Sequence, residues 1–264
     1  PGPYELRPTM RIPALLSSLT AGGVTAVTVT IPEGSTAIDT VGILTAAGIP
    51  LAPSFLEASP ATFDAGYFLE RYPYLADAAS FEGVLFPDTY RFRRDATAVR
   101  ETLGVLLAGF HAKAWPLLAA DGAPGGTGGP SWYERLKLAS YLEREVPAFD
   151  DRAVVAGILL KRIRLSMPLQ VDATVSYSKC RGSFRRCENV AVTRPDLAVE
   201  TPYNTYLTRG WTPTPIANPG ESAIRAAMAP RETPYLYYLS DPKTKRTIFS
   251  RTLEEHNANR ARYL

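Results

Sequence analysis

Histidine and cysteine are nearly absent: a chain of 264 residues carries two of each. His111 and His256 stand in no nucleophile context and no G-x-S-x-G occurs, so a Ser-His-Asp hydrolase fails on supply. Two cysteines and two distant histidines give no ligand spacing, and no metal or other cofactor is expected. No window approaches the ~18 apolar residues of a membrane span. No Lys/Arg-rich run interleaves with aromatics; RFRRD (91–95) and KRIR (161–164) are short, as solvated helix faces usually are, so nucleic acid is not an expected partner. The glycine-rich stretch DGAPGGTGGPS (121–131) lacks a GK[ST] ending and a preceding strand. It reads as a flexible connector and not as a phosphate cradle.

What is present suits a folded chain. Apolar residues make up 45% and charged residues 21%, enough for a real core in one large domain or two smaller ones. A net charge of +3 is compatible with an anionic polymer as partner. Cys180 and Cys187 enclose Gly182 and Ser183 in CRGSFRRC. That spacing suits a disulfide across a loop tip and an oxidising compartment, the alternative being two free thiols. The chain opens at Pro1 and not at Met, so a leader, an anchor or more protein is expected ahead of it.

The pattern predicts an α+β fold. A short strand precedes a helix over about 11–20. The β-branched VTAVTVTIP (24–32) is a strand, and Ser35 or Thr36 caps a helix that stops at Gly48. Short helices fill 51–80, Pro87-Asp88 bends FEGVLFPDTYRF (81–92), and a long helix follows over 95–119. Asp88 caps a helix or walls a cleft, with structure the favoured reading. Two helices cover 131–146 and 150–165, and LQVDATVSYS (169–178) reads as a strand. TPYNTYLTRGWTPTPIANPG (201–220) is a long irregular segment of the kind that often carries function. A helix begins near Glu221, strands at 235–240 and 246–250 form a hairpin, and a helix ends the chain.

By elimination, any chemistry falls to carboxylates. In LASYLEREVP (138–147), Glu143 and Glu145 flank the apolar side of a helix on opposite borders, each about 80° from its centre. Periodicity does not choose between them. The plain reading is that both are boundary glutamates pairing with Arg144, Arg152 or a helix end. A glutamate half-sunk in an apolar wall would have its pKa raised, which is what a general acid at neutral pH needs.

LASYLERE, RIRLSMPLQVDATVSY, TPYNTYLTRGWTPTPIANPGESAIRAAMAP and YLYYLSDPKTKRTIFSRTLEEHNAN occur in that order, after EGVLFPDTYRF. Together they resemble the YceG-like endolytic murein transglycosylases. PYELRPTMRIPALLSSLTAGG and TIPEGSTAIDTVGILTAAGI resemble that family's N-terminal part, which is similar to LysM modules. The resemblance implies a LysM-like module over 1–80 and a catalytic domain over 81–264. It further implies a single-pass anchor absent from this sequence, and work at the outer face of the cytoplasmic membrane, with membrane peptidoglycan synthases as partners. It assigns the catalytic role to the first glutamate of the family's E-K-E stretch, here Glu143, with Glu145 supporting. Val146-Pro147 departs from the threonine that relatives often carry there. The cysteine loop looks local to this chain.

A lytic transglycosylase needs one carboxyl group, acting first as acid and then as base, where ordinary glycosidases use two. Gln170, Asp172, Thr174, Tyr203, Asn204, Thr205 and Asn218 lie in the matching segments and are the expected sugar contacts. For Tyr203 and Tyr206 core packing is an equal alternative, and Asn218 is also placed to make an Asx turn. Against the enzyme stand two other readings: a non-catalytic peptidoglycan-binding module, and a hydrolytic muramidase on the same scaffold.

Overall fold

Helix ends in this chain follow from its caps and prolines. The computed structural model describes residues 8–20, 26–49, 51–93, 98–119, 129–146, 148–244 and 246–264. Helix α1 is Ile12–Thr20 and strand β1 is Ala26–Thr30. Helix α2, Ala37–Ala46, opens on a capping box: Thr36 accepts from the Asp39 amide while Asp39 accepts from the Thr36 amide. Strand β2, Thr89–Arg93, turns Tyr90 and Phe92 inward and pairs antiparallel with β1, Val27 opposite Phe92 and Thr30 opposite Thr89. Three 3₁₀ segments lie between α2 and β2, at Pro53–Glu57, Phe63–Leu69 and Pro73–Asp77.

Helix α3, Val99–Lys113, is shorter than its pattern suggests. A four-residue helix, α4 (Trp115–Leu118), continues after a break, because Pro116 brings no N–H and crowds the preceding turn. Asp88 pairs with Lys113 and accepts the Thr89 amide, a structural use in line with the favoured reading. Residues 121–128 of the connector expected at 121–131, and residues 1–7 ahead of the first helix, where the short strand is expected, lie outside the described residues.

Helices α5 (Trp132–Glu145), α6 (Phe149–Arg164) and α8 (Glu221–Met228) pack on one another, and α7 (Asp172–Lys179) lies against α5. Strands β3 (Tyr237–Ser240) and β4 (Thr247–Ser250) form the C-terminal hairpin, and α9 (Leu253–Tyr263) packs on it. The architecture is α+β, with two small antiparallel sheets among the described residues. One hydrophobic core runs from Val29 to Ala227, so strand pairing and burial both cross residue 80.

The strand expected at LQVDATVSYS is corrected: Asp172–Lys179 is helical. Val171, Thr174 and Val175 are β-branched, but strand propensity is a weak prior that tertiary context overrides. Burial of Ala173, Thr174, Val175 and Ser176, with the Thr174 hydroxyl turned back onto the Val171 carbonyl at 2.7 Å, winds the segment.

Cys180 and Cys187 are bonded. The loop they close docks on α2, where Asp39 accepts from the Ser183 hydroxyl at 2.6 Å and from the Arg185 amide at 3.3 Å. A ring this small gives about 2.5 kcal/mol in the chain-entropy account. The double variant Cys180→Ser/Cys187→Ser is therefore expected to lose about that much stability, read by urea denaturation.

Glu82 is 4% exposed, accepts the Ala37 amide at 3.0 Å and the Tyr177 hydroxyl at 3.1 Å, and so ties α2 to α7. Burial raises its pKa to about 8, against the opposing pull of those donors. The folded state thus holds a proton that the unfolded chain releases above the ordinary carboxylate range. This contribution to stability is complete at low pH and is lost as pH rises through about 8. Melting temperatures from pH 5 to 9 should fall toward the alkaline side, and Glu82→Gln should flatten that slope.

Candidate active site

Ser131 starts α5 by accepting the Glu134 amide at 3.2 Å while its own amide donates to Glu134 Oε2 at 2.8 Å. From there Leu136, Leu138, Ala139, Tyr141 and Leu142 are fully buried and fix the rotation of the helix. Residues two apart on a helix are about 200° apart around its axis. The fixed rotation therefore sends Glu143 and Glu145 to opposite flanks.

Glu143 faces α6 and α8. Its Oε1 accepts from Arg152 Nη2 at 3.1 Å and its Oε2 from the Gly220 amide at 3.0 Å. Gly220 caps α8, whose N-terminal dipole favours an anion there. The paired side chains of Glu143 and Arg152 are each 8% exposed. Arg152 continues to the Val146 carbonyl and to Ser222 Oγ. Glu33, from the turn after β1, lies against the same glycine: a methyl at Gly220 would fall 1.9 Å from Glu33 Oε1. Partial burial, then the charge of Glu143, raises the Glu33 pKa, with Arg152 opposing. Both Glu143 oxygens are committed, as in a carboxylate that joins elements together.

Glu145 faces the other way, into a cavity of about 410 Å³. Burial drives its pKa up to about 7, with Asp172 adding to the rise, while the Ala173 amide and Arg144 work against it. One oxygen, Oε1, accepts that Ala173 amide at 2.8 Å. Gln170 and Asp172 share the cavity, as do Tyr206, Tyr237 and Tyr238. Tyr206 donates to Asp172 Oδ1 at 2.5 Å. Helix α9 closes one side with His256 and Arg260, and burial together with Arg260 and Arg162 lowers the His256 pKa. Two buried polar atoms of this wall, the Tyr238 hydroxyl and His256 Nδ1, have no partner among the described residues.

Of the expected sugar contacts, Gln170 and Asp172 reach the cavity beside Glu145. The others are hydrogen-bonded within the fold. Thr174 and Thr205 bond to each other at 2.9 Å, and Thr205 Oγ1 accepts the Val171 amide at 2.9 Å. Asn204 Nδ2 donates to the Leu197 and Val199 carbonyls. Asn218 is fully buried, accepts from the Leu85 amide at 2.9 Å and donates to the Ser35 carbonyl at 2.8 Å. Asn204, Thr205 and Thr174 are at most 1% exposed as well, and Asn204 lines a separate cavity of about 290 Å³ with Lys179 and Asp196. Tyr203 bonds Thr214 at 2.9 Å and packs its ring 5.0 Å from that of Tyr177.

The cavity residues that sequence reasoning missed are Arg162, Tyr237, Tyr238, His256 and Arg260, with Tyr206 weighed only as packing. The paired tyrosines in YLYYLS, alternating with apolar residues on a hairpin strand, were the available signal. Among the described residues no group of His, Cys, Asp and Glu is arranged to hold a metal.

A family model described as "YceG-like family" matches residues 1–262. The chain is 33% identical over 69% of its length to the endolytic murein transglycosylase of Bacillus subtilis (strain 168), covering 48% of that protein. It is 27% identical over its whole length to the endolytic murein transglycosylase of Streptococcus pneumoniae serotype 2, covering 50% of it. The chain thus spans about half the length of these curated relatives. A crystal structure of a YceG-like protein from Listeria monocytogenes superposes with a TM-score of 0.70 at 28% identity, over 97% of this chain and 83% of that one. With the family model matched over residues 1–262 and a solved relative superposing over 97% of the chain, this chain belongs to the YceG-like family.

Proposed function

We propose that the chain is the catalytic portion of an endolytic peptidoglycan lytic transglycosylase, with Glu145, and not Glu143, as its acid and base. One observation carries the assignment: Glu145 is the carboxyl that combines a pKa near 7 with a place on a polar, tyrosine-lined cavity. Such a carboxyl holds its proton at neutral pH and can give it up. Each Glu143 oxygen already accepts a hydrogen bond, one from Arg152 and one from the Gly220 amide, which supports a holding role for it.

In the proposed cycle, protonated Glu145 donates to the oxygen joining N-acetylmuramic acid to N-acetylglucosamine. The bond from C1 to that oxygen breaks, and the substrate's own acetamido group stabilises the cationic C1. Glu145, now ionised, takes the proton of the C6 hydroxyl, whose oxygen attacks C1. The product is a 1,6-anhydro end, and Glu145 is again protonated. Gln170 and Asp172 hydrogen-bond the sugars, and the tyrosines offer faces for them to stack on.

Asp172 favours a second reading. It is a second carboxylate in the same cavity, and a hydrolytic muramidase requires one. Its oxygen is engaged by Tyr206, which argues for the single-carboxyl route. Digestion of purified peptidoglycan with mass analysis decides. Anhydro-muropeptides support the proposal, reducing ends mean hydrolysis, and no release leaves a binding module.

The disulfide fits an extracytoplasmic site of action, where thiols are not kept reduced. No helix among the described residues is long and apolar enough to cross a membrane. The reading includes glycan binding by a LysM-like segment over 1–80, catalysis over 81–264, an anchor outside this sequence, and peptidoglycan synthases as membrane partners. Co-purification from solubilised membranes tests the last.

A further inference from the structure

Arg162 sits in the cavity wall, 4% exposed, with every visible partner an acceptor. Its Nε donates to the Leu236 carbonyl at 2.8 Å, and Nη1 reaches the carbonyls of Leu169 at 2.9 Å and Pro168 at 3.2 Å. The same Nη1 donates to Gln170 Oε1 at 3.3 Å, while the guanidinium lies 5.0 Å above the Tyr237 ring.

A guanidinium has donors and no acceptor. The orientation of a glutamine amide is ordinarily open to a flip, but here Arg162 settles it. The Gln170 carbonyl oxygen must face the arginine, so its NH₂ faces away, on a residue that lines the cavity. Gln170 is exposed, so that NH₂ is open to a ligand entering the cavity from solvent. The backbone at Gln170 is left-handed, with φ +52°, a conformation that a non-glycine residue holds only under constraint. Thr205 supplies the constraint: its carbonyl accepts the Gln170 amide at 3.0 Å and its hydroxyl accepts the next amide along.

We propose that Arg162 is a positioning residue that fixes Gln170 as a hydrogen-bond donor inside the cavity, and that this donor reads the acetamido carbonyl of an N-acetylated sugar. The polar groups around it give the reason. Sugar hydroxyls both donate and accept, and carboxylates such as Asp172 suffice for them. An acetamido carbonyl only accepts and requires a donor, and the Gln170 NH₂ is held for one. A sugar stripped of its acetyl group presents an ammonium, which only donates. It would meet the NH₂ and the Arg162 cation with nothing to offer either. The site therefore discriminates N-acetylated from free-amine glycan. This inference rests on the reading of the cavity as a glycan site.

The test uses Glu145→Gln protein, which holds substrate without cleaving it. Binding of an N-acetylglucosamine tetramer and of its de-N-acetylated counterpart is measured by calorimetry. The N-acetylated probe should bind at least about tenfold tighter, the scale of one directed hydrogen bond. Adding Gln170→Glu keeps the contact to Arg162 but removes the donor, and should erase most of that ratio. Arg162→Lys and Gln170→Ala are then measured singly and together. The pair should lose no more affinity for the N-acetylated probe than Gln170→Ala alone, since a positioning residue acts only through its client. Equal affinity for the two probes, a ratio unmoved by Gln170→Glu, or additive losses would overturn the proposal. If Arg162→Lys fails to fold by circular dichroism, the Gln170→Glu ratio decides. The functional reading fails separately. Protein that shows the binding contrast yet releases no product from peptidoglycan sinks that reading alone. Protein that yields anhydro ends with no contrast sinks this one alone.

Discussion

Glu145→Gln should abolish release of anhydro-muropeptides while leaving the fold intact, with turnover down by about 10²–10⁴-fold, the usual worth of a positioned acid and base. The amide is isosteric and still accepts the Ala173 N–H that the carboxylate accepts at 2.8 Å, so α7 keeps its anchor. What disappears is the proton. Full activity in that variant would remove Glu145 from the mechanism.

The same carboxyl predicts the alkaline limb of the pH profile. Burial favours the neutral form, so Glu145 carries its proton up to about pH 7 and releases it above. The acid step needs that proton, so kcat/KM should fall as pH rises through about 7. The slope belongs to the free protein and should persist in Glu82→Gln, whose target titrates at the α2 end and not in the cavity. A profile flat to pH 9 would contradict the assignment.

Much of this fold was legible in the sequence because its signals are local. Thr36 three residues before Asp39, Gly48 just past α2 and the CRGSFRRC spacing each act over a few residues, and each forms the structure its chemistry implies, whereas the break that Pro116 makes after α3 was not read. The strand read into LQVDATVSYS failed where local preference met a long-range partner. The Glu145 carboxyl waits at the start of α7, and burial of Ala173 and Val175 decides the rest. The site was legible to the resolution of a helix. The sequence placed two glutamates on opposite borders of α5, and the structure keeps them there. Which border meets a cavity depends on Tyr206, on Arg162 and on the hairpin bearing Tyr237 and Tyr238, contributed from as far as 93 residues along the chain from Glu145. No periodicity within the helix carries that information. The PYNTY and ANPG segments were singled out for function, yet Asn204, Thr205 and Asn218 close backbone groups that irregular chain leaves open. Irregular segments need such pins because buried amides and carbonyls must be paired wherever no helix or strand pairs them.

Glu143→Ala should be among the most destabilising single changes in the protein, at about 3–5 kcal/mol, the cost of breaking a buried ion pair from one side. Both partners are 8% exposed at their side chains, so solvent does little to rescue the survivor. Removal of the carboxylate strands the Arg152 guanidinium among α5, α6 and α8 and leaves the Gly220 amide without its acceptor. Glu143→Gln keeps an acceptor for one of the two donors and turns an NH₂ toward the other, so it should cost less than Glu143→Ala, about 1–3 kcal/mol. Replacing the pair together, Glu143→Met with Arg152→Leu, should cost less than Glu143→Ala, because no uncompensated charge remains. Thermal melts order the three variants. The kinetic counterpart separates the two glutamates: at 25 °C, where Glu143→Gln protein is still folded, it should release anhydro-muropeptides within about threefold of the parent, since a support residue acts on stability and not on the proton. A folded Glu143→Gln protein without activity would return the acid to Glu143. The Arg152 ion pair would then have to open on substrate binding to free the oxygen it occupies.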